Sequence, residues 1–297
     1  MHSAMLVITG ATGKLGSQII EALFRHHVPA SQLIASVRDP QKAIALVAQG
    51  VRVRAGDFTQ PEGLATAFAG ADQVLVVSPD QIGEAGRQLS RTAIEAARTA
   101  GARRVLYTSH MGAQADSPTQ DQAFIKDHAA IEAFLGQAGL PFTALRHGYY
   151  AESALHHLSR GFETGEIRVP EDGPVSWTTR ADLAEADALV LSKEGQFDGI
   201  TPALTAGEAF TFSDLATIAS ELTGRAIKHV PLTDAQWRNE KRAQGVPEQF
   251  VAIMLGTYRA MRRGDFAAVD PTLGQLLGRR PYTMRDVLAG LLKPASI

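Results

Sequence analysis

The chain contains no cysteine in its 297 residues, which removes disulfides, thiolate nucleophiles and thiolate metal sites together. It also lacks a charge imbalance, with 29 basic against 31 acidic residues. Basic pairs such as Arg103-Arg104, Arg262-Arg263 and Arg279-Arg280 are scattered, so no tract marks a nucleic-acid partner. No stretch approaches the ~20 apolar residues that span a bilayer, and no basic segment leads into an apolar, cleavable one at the N-terminus. No His/Asp/Glu set shows metal spacing, so no metal is expected. These absences point to a soluble, cytoplasmic chain without nucleic-acid or membrane partners. An apolar content of 45% supports a sizeable core.

What the chain does have is a glycine-rich turn, Val7-Ile8-Thr9-Gly10-Ala11-Thr12-Gly13-Lys14-Leu15-Gly16. Upstream lies the apolar run Met5 to Ile8. Downstream, Leu15, Ile19, Ile20, Leu23 and Phe24 recur at helical spacing. A buried strand feeding an amphipathic helix is the context that a dinucleotide fingerprint needs, although a bare structural turn shares the spacing. Gly10 permits the tight turn, Gly13 lets backbone N–H groups approach a pyrophosphate, and Gly16 lets helix and strand pack closely. Gly10, Thr12, Gly13, Lys14, Leu15 and Gly16 are therefore the candidate cofactor cradle. A P-loop is excluded, because Leu15 stands where the magnesium-binding hydroxyl would be.

Beyond the turn, candidate strands at Met5 to Ile8, Leu33 to Val37, Val51 to Arg54, Val74 to Val77 and Val105 to Thr108 alternate with helical stretches at 15–26, 41–48, 61–69, 84–100 and 121–138. Leu140 to Leu145 resembles a further strand. This rhythm predicts an α/β fold with a doubly wound parallel sheet. After Leu145 it breaks into a Gly/Pro-punctuated region, 161–174, then a helix near Ala181 to Leu191. Thr211 precedes a helix running to Leu222, with Gly224 as its stop. Lys228 to Pro231 reads as a short strand, and 233–264 as mostly helical. The expected division is 1–150, a nucleotide-binding domain, and 151–297, a mixed region that completes the sheet and forms a smaller, mostly helical substrate-binding cap.

The second strand ends Ser36-Val37-Arg38-Asp39-Pro40. Arg38 suits a 2′-phosphate, which a guanidinium binds bidentately, and so favours NADP(H). Asp39 turned to the ribose would favour NAD instead. Asp57 and Phe58 follow the third strand and either border the adenine or form a turn. Ser78 lies beside the expected cofactor path or in a plain turn.

Together with these segments, Tyr107-Thr108-Ser109, Leu145-Arg146-His147-Gly148-Tyr149-Tyr150 and Trp177-Thr178-Thr179-Arg180-Ala181-Asp182 resemble the NmrA-like branch of the atypical short-chain dehydrogenases. The resemblance is strongest to its quinone and triphenylmethane-dye reductases. It implies a Rossmann sheet, bound NADP(H) and oxidoreductase activity. Typical short-chain dehydrogenases, outside this branch, carry Tyr-x-x-x-Lys on the helix after the fifth strand, the tyrosine transferring a proton. Here the corresponding residues are Phe124 and His128, and phenylalanine cannot transfer a proton. His128, four residues on and on the same helical face, takes the lysine's place by this resemblance. Otherwise it is an ordinary helix histidine.

Lys126 points away from His128, into solvent. Ser109 either touches the nicotinamide end or is a plain strand-end hydroxyl. Tyr149 and Tyr150 either stack on a flat acceptor and replace the lost donor, or pack in the core. Tyr107 reads as a core aromatic, while Phe162 and Trp177 are weaker pocket-wall candidates. Ser109, Asp116 and His128 invite a hydrolase triad, but no Gly-x-Ser-x-Gly elbow surrounds the serine.

The lost acid points away from ketones, whose reduction makes an alkoxide, and towards quinones or cationic dyes. The expected activity is NADPH-dependent hydride transfer to a small conjugated acceptor. The alternative is a non-catalytic NADP(H)-binding redox sensor acting through a regulatory protein partner. A homodimer is compatible with the sequence but not specified by it.

Overall fold

A computed structural model of the chain describes residues 4–113, 123–193 and 195–292. Asp116 and the first two residues of the helix expected over 121–138 lie outside these. The first strand, β1 (Leu6–Thr9), runs through the glycine turn into α1 (Lys14–Arg25). There follow β2 (Leu33–Val37), α2 (Ile44–Ala48), β3 (Arg52–Ala55), α3 (Pro61–Phe68), β4 (Gln73–Val76), α4 (Glu84–Thr99), β5 (Arg104–His110), α5 (Ala123–Gln137) and β6 (Phe142–His147). The helix expected over 41–48 is in fact a 3-10 turn, Pro40–Ala43, ahead of the short α2.

After β6 come α6 (Glu152–Thr164), β7 (Glu166–Pro170), α7 (Arg180–Ser192), β8 (Gly199–Ile200), α8 (Phe212–Thr223), β9 (Lys228–Leu232), α9 (Asp234–Ala243), α10 (Glu248–Arg263), α11 (Thr272–Leu277) and α12 (Met284–Leu291). The region read from sequence as Gly/Pro-punctuated, 161–174, therefore opens on the last turn of a helix and continues as a strand. Its glycines mislead for two reasons. Gly161 is a packing glycine, since a Cβ there would lie 2.6 Å from Ile167. Gly165 is the left-handed C-cap at φ +79°, the position where glycine ends helices at least cost.

Seven parallel strands form the main sheet in the order β3-β2-β1-β4-β5-β6-β8. The order reverses between β1 and β4, and in such sheets ligands bind outside the carboxyl ends of the strands at that reversal. On one face Val7, Ile34, Val74, Val105 and Tyr107 pack with Leu64 and Phe68 of α3, Ile94 of α4, and Ile131 and Leu135 of α5. Alternate strand residues, including Leu6, Ile8, Leu75 and Leu106, are buried on the other face, the period-2 consequence of the pleat.

Two units divide the described chain. The first takes the described residues of 1–116, 123–147 and 181–202, and so includes the main sheet. The second takes those of 148–180 and 203–297, with a two-stranded parallel sheet, β7-β9, and the later helices. Among the described residues no helix is long and apolar enough to cross a membrane.

Arg104, read from sequence as half of a scattered basic pair, is in fact an interior residue at 2% exposure. It donates to Gln73 Oε1 at 3.1 Å, Thr143 Oγ1 at 2.5 Å and the Phe197 carbonyl at 2.7 Å. One guanidinium thus ties β4, β5 and β6 to the segment before β8, a role that needs its planar fork. Arg104→Met keeps the apolar stem but leaves those buried acceptors without their donor. The expected loss is about 3 kcal/mol, read from urea unfolding, and an unchanged midpoint would refute the role.

Candidate active site

The glycine turn folds as its spacing predicts. Gly10 sits at φ +58°, and its carbonyl accepts from Gly13 N–H at 2.8 Å. A Cβ on Gly16 would lie 2.3 Å from that same carbonyl oxygen, so α1 can approach β1 this closely only with glycine there. The helix N-terminus has no side-chain cap and no acidic residue in its first turn. Some helices of the second unit are capped by side chains instead. Thr211 with Asp214, Thr233 with Gln236 and Thr283 with Asp286 form capping boxes on α8, α9 and α12. The orphan N–H groups of α1, with the positive end of its dipole, therefore present an unspent anion site that fits a pyrophosphate. Thr12 and Lys14 are exposed beside it, whereas the Leu15 side chain is buried, so only its backbone N–H is available to a ligand.

At the end of β2, Arg38 is exposed and makes no hydrogen bond with the described residues. Asp39 is spent as the cap of the 3-10 turn, accepting from Gln41 N–H at 3.0 Å. Asp57 accepts from the Thr59 backbone and hydroxyl at 2.9 and 2.8 Å. Those two bonds, with a smaller contribution from Arg38, hold its carboxyl below the usual range. Phe58 packs against the core. Ser78 N–H donates to Thr108 Oγ1 at 2.8 Å, and its hydroxyl oxygen lies 3.1 Å from the Thr108 hydroxyl, which donates to it. The proton of Ser78 remains for another acceptor.

Helix α5 carries the next group. Phe124 and His128 line a cavity of about 220 Å³ with Tyr107, Arg87, Asp127 and Ser78. His128 Nδ1 lies 3.0 Å from the Tyr107 hydroxyl. Beside them His110, at the end of β5, stacks on His128 at 6.0 Å and meets Phe124 edge-on at 5.3 Å. Burial, reinforced by neighbouring histidines, pushes His110 down to about 3 and His128 down to about 4. Both rings are neutral at pH 7.

Asp127, between Lys126 and His128, accepts from Gly83 N–H at 2.6 Å and from the Arg87 guanidinium, pinning the loop after β4 to α5. Lys126, expected in solvent, is half-buried.

Ser109 is committed inside the fold. It donates to Glu132 Oε1 at 2.7 Å, and Arg146 closes on the same carboxylate with Nε at 2.9 Å and Nη2 at 2.7 Å. Its proton is therefore spent within the protein. The sequence reading missed Glu132, Arg146, His110 and the buried pair His147–Asp187, Nε2 to Oδ1 at 2.8 Å. Their only signal was polar residues at the ends of two strands and on the inner face of a helix.

Tyr149, Tyr150 and Trp177 belong to the second unit. Tyr149 packs on Phe266 at 5.0 Å and Trp177 at 5.5 Å, and burial pushes its phenol up to about 12. It is a weaker acid than a free tyrosine. Tyr150 lies under the Arg180 guanidinium at 5.6 Å. Trp177, offered as a pocket wall, is an interior residue at 2% exposure, its indole N–H donating to the Phe210 carbonyl at 2.9 Å. Phe162 is half-buried. Among the described residues no group of three or more His, Asp or Glu could hold a metal ion.

The two neutral histidines make stability pH-dependent in a defined direction. The unfolded chain protonates them near pH 6.5, but the folded chain not until about 4 and about 3. The unfolded state therefore binds more protons as pH falls below about 6.5, and their contribution to stability is progressively lost down to the folded values. Stability should be lower at pH 5.5 than at pH 7 by on the order of 2 kcal/mol in urea titrations. Equal stability at the two values would contradict the burial of these rings as neutral species.

Residues 10–194 match the family described as NAD(P)H-binding. Quinone oxidoreductase 2 of Escherichia coli (strain K12) is 32% identical over 288 residues, covering 97% of this chain and 98% of that protein. The crystal structure of the E. coli NADPH-dependent quinone oxidoreductase complexed with NADPH superposes with a TM-score of 0.90 at 31% identity, over 97% of this chain and 100% of that one. The Citrobacter sp. triphenylmethane reductase complexed with NADP(H) gives 0.87 at 33% identity, over 97% and 100%. A cradle open to an anion, a parallel sheet reversing at β1 and β4, and likeness along nearly the whole chain lead to one assignment: the protein belongs to the NAD(P)H-binding family, in its NmrA-like, atypical short-chain dehydrogenase branch.

Proposed function

We propose that this protein is an NADPH-dependent reductase that passes hydride to a quinone or a comparable conjugated, electron-poor acceptor. The observation that carries the reading is the pair on α5: Phe124 at the position of the usual acid, and His128 half-buried and uncharged one turn on. The quinone and dye reductases among its relatives support the same choice of acceptor.

The residues divide the work by position. Backbone N–H groups of Lys14, Leu15 and Gly16 at the start of α1 hold the pyrophosphate, and Arg38 takes the 2′-phosphate. Asp39 is occupied as a cap, so the bonded carboxylate oxygen is engaged with the 3-10 turn and not with a ribose. Ser78 and His128 supply hydrogen bonds at the nicotinamide end, while Ser109 acts there only through Glu132 and the placement of α5. Bound NADPH supplies the hydride.

No side chain in the described cavity is a ready proton donor at neutral pH. Burial raises Tyr107 above the ordinary phenol value, and Phe124 has no proton to give. Such a site cannot readily neutralise the alkoxide formed from a simple ketone. A quinone gives a phenolate-like anion whose conjugate acid has a pKa of about 10, which water can protonate afterwards. A cationic dye needs no proton.

Arg38→Ala should weaken NADPH by roughly tenfold to a hundredfold while changing NADH much less, the size expected for lost charge-assisted hydrogen bonds. Fluorescence titration of both cofactors checks this, and equal losses would remove Arg38 from the phosphate site. For the activity, NADPH oxidation is followed spectrophotometrically with a panel of benzo- and naphthoquinones and a set of simple ketones. Turnover should appear with quinones and stay at background with ketones. Background rates throughout, with NADPH still bound, would overturn the reductase reading.

A further inference from the structure

We infer that Tyr107 is a positioning residue: its hydroxyl donates to Nδ1 of His128 and holds the ring as the neutral tautomer with its proton on Nε2. The geometry is specific. The phenol oxygen lies 3.0 Å from Nδ1, the rings stand 5.7 Å apart with a 49° tilt, and Tyr107 is buried at 2% exposure. Nε2 makes no hydrogen bond with the described residues, while the side chain lines the cavity. The nitrogen left for a ligand is then an uncharged N–H donor.

The direction of the bond follows from the proton inventory. A buried phenol keeps its proton and must place it on an acceptor. His128 Nδ1 lies at hydrogen-bond distance, and the Ser90 hydroxyl on α4 also interacts with the phenol. An sp² imidazole nitrogen is the stronger base, so it takes the proton. The Ser90 hydroxyl lies 3.1 Å from the Gly86 carbonyl one turn back in its own helix, a carbonyl in the interior of the helical ladder. The proton on the second imidazole nitrogen is fixed by what the first one does.

The surroundings favour a neutral ring. From β5 come Tyr107 and His110, the latter itself neutral. From α4 come Ser90 and Arg87, and the guanidinium is closed by Asp127 and Glu84. On α5 itself lie Asp127 and Glu132, the second spent on Arg146. From β6 comes His147, paired with Asp187 of α7. Each of these charges has its opposite, while the exposed Asp80 from the loop after β4 lines the same cavity. Where typical short-chain dehydrogenases have an ammonium, this chain presents a dipole.

The inference rests on the proposed function only for the identity of the ligand at Nε2. Long-range ¹H–¹⁵N correlation of the imidazole rings in the full-length, ¹⁵N-labelled protein tests it, with His128 assigned from a His128→Gln sample. The expected result is a single neutral Nε2–H tautomer that does not titrate between pH 5.5 and 8. In Tyr107→Phe, which keeps the buried ring, His128 should populate both tautomers and the NADPH Kd should rise about three- to tenfold, the worth of one neutral hydrogen bond.

An Nδ1–H tautomer in the unsubstituted protein, titration near pH 6.5, or the same single tautomer in Tyr107→Phe would each overturn the inference. Adding NADPH separates the two questions. A shift of the Nε2 resonance supports a cofactor at that nitrogen. The expected tautomer with no shift on NADPH binding overturns the cofactor's placement there and leaves the role of Tyr107 standing.

Discussion

The carboxylate of Glu132 is the fixed point on which the placement of α5 depends. It is buried at 5% exposure, and an ionised carboxylate in such a place costs several kcal/mol unless its oxygens are satisfied. Three donors satisfy it: the Ser109 hydroxyl from β5 and a bidentate Arg146 guanidinium from β6. Bidentate geometry fixes orientation as well as distance, so α5 cannot rotate on the sheet without breaking it. One turn towards the N-terminus of α5 lies His128, and one further turn lies Phe124. The Asp127 contacts to Gly83 and Arg87 brace the same helix from the side of α4.

This bracing gives the strand-end serine a different use from the one expected of it. A hydroxyl has one proton, and Ser109 donates it to Glu132. The polar groups most conspicuous in the sequence are thus consumed in holding the helix. Beside the paired Arg87 and Asp127, α5 presents a phenylalanine and a neutral histidine to the cavity. On the proposed function this has a chemical sense. A nicotinamide ring becomes cationic as it loses hydride, and a fixed ammonium nearby would oppose that change. An uncharged N–H orients without opposing.

Much of the fold was legible because it rests on local rules. Strands four to seven residues long separated by amphipathic helices give the period and the parallel topology, and Gly10, Gly13 and Gly16 occupy the positions where backbone conformation or close approach demands glycine. Boundaries within the first unit shifted by only a residue or two, except at α2, which starts three residues later than expected. Arg38 and Asp39, ambiguous as neighbours in sequence, are distinguished by a short-range fact, the capping of a 3-10 turn.

Less legible were contacts between residues distant in the chain. Ser109 to Glu132, Arg104 to Thr143 and Phe197, and His147 to Asp187 span 23 to 93 positions, and no periodicity encodes them. Tyr107 was read correctly as a buried strand aromatic, but its hydroxyl partner came from that long-range layer. Helix α6 was missed for another reason. Its terminal glycine satisfies both a loop pattern and a left-handed cap, and only the strand that follows distinguishes them.

The two ends of the proposed cofactor path obey different physics. At the phosphate end the groups are exposed and charged or dipolar: an uncapped helix N-terminus, Lys14 and Arg38. Their attraction acts over roughly the Debye length and weakens with salt, which suits capture of a multiply charged anion from solution. At the other end Tyr107 is buried, His110 and His128 are half-buried, and all three are neutral, so little Coulombic energy is available there and each hydrogen bond contributes only about 1 kcal/mol. Binding energy therefore comes from the end remote from the chemistry, and the neutral end contributes orientation. On the proposed function, that separation lets α5 do without the acid and the ammonium while the cofactor is kept, and it confines the reaction to acceptors that need neither.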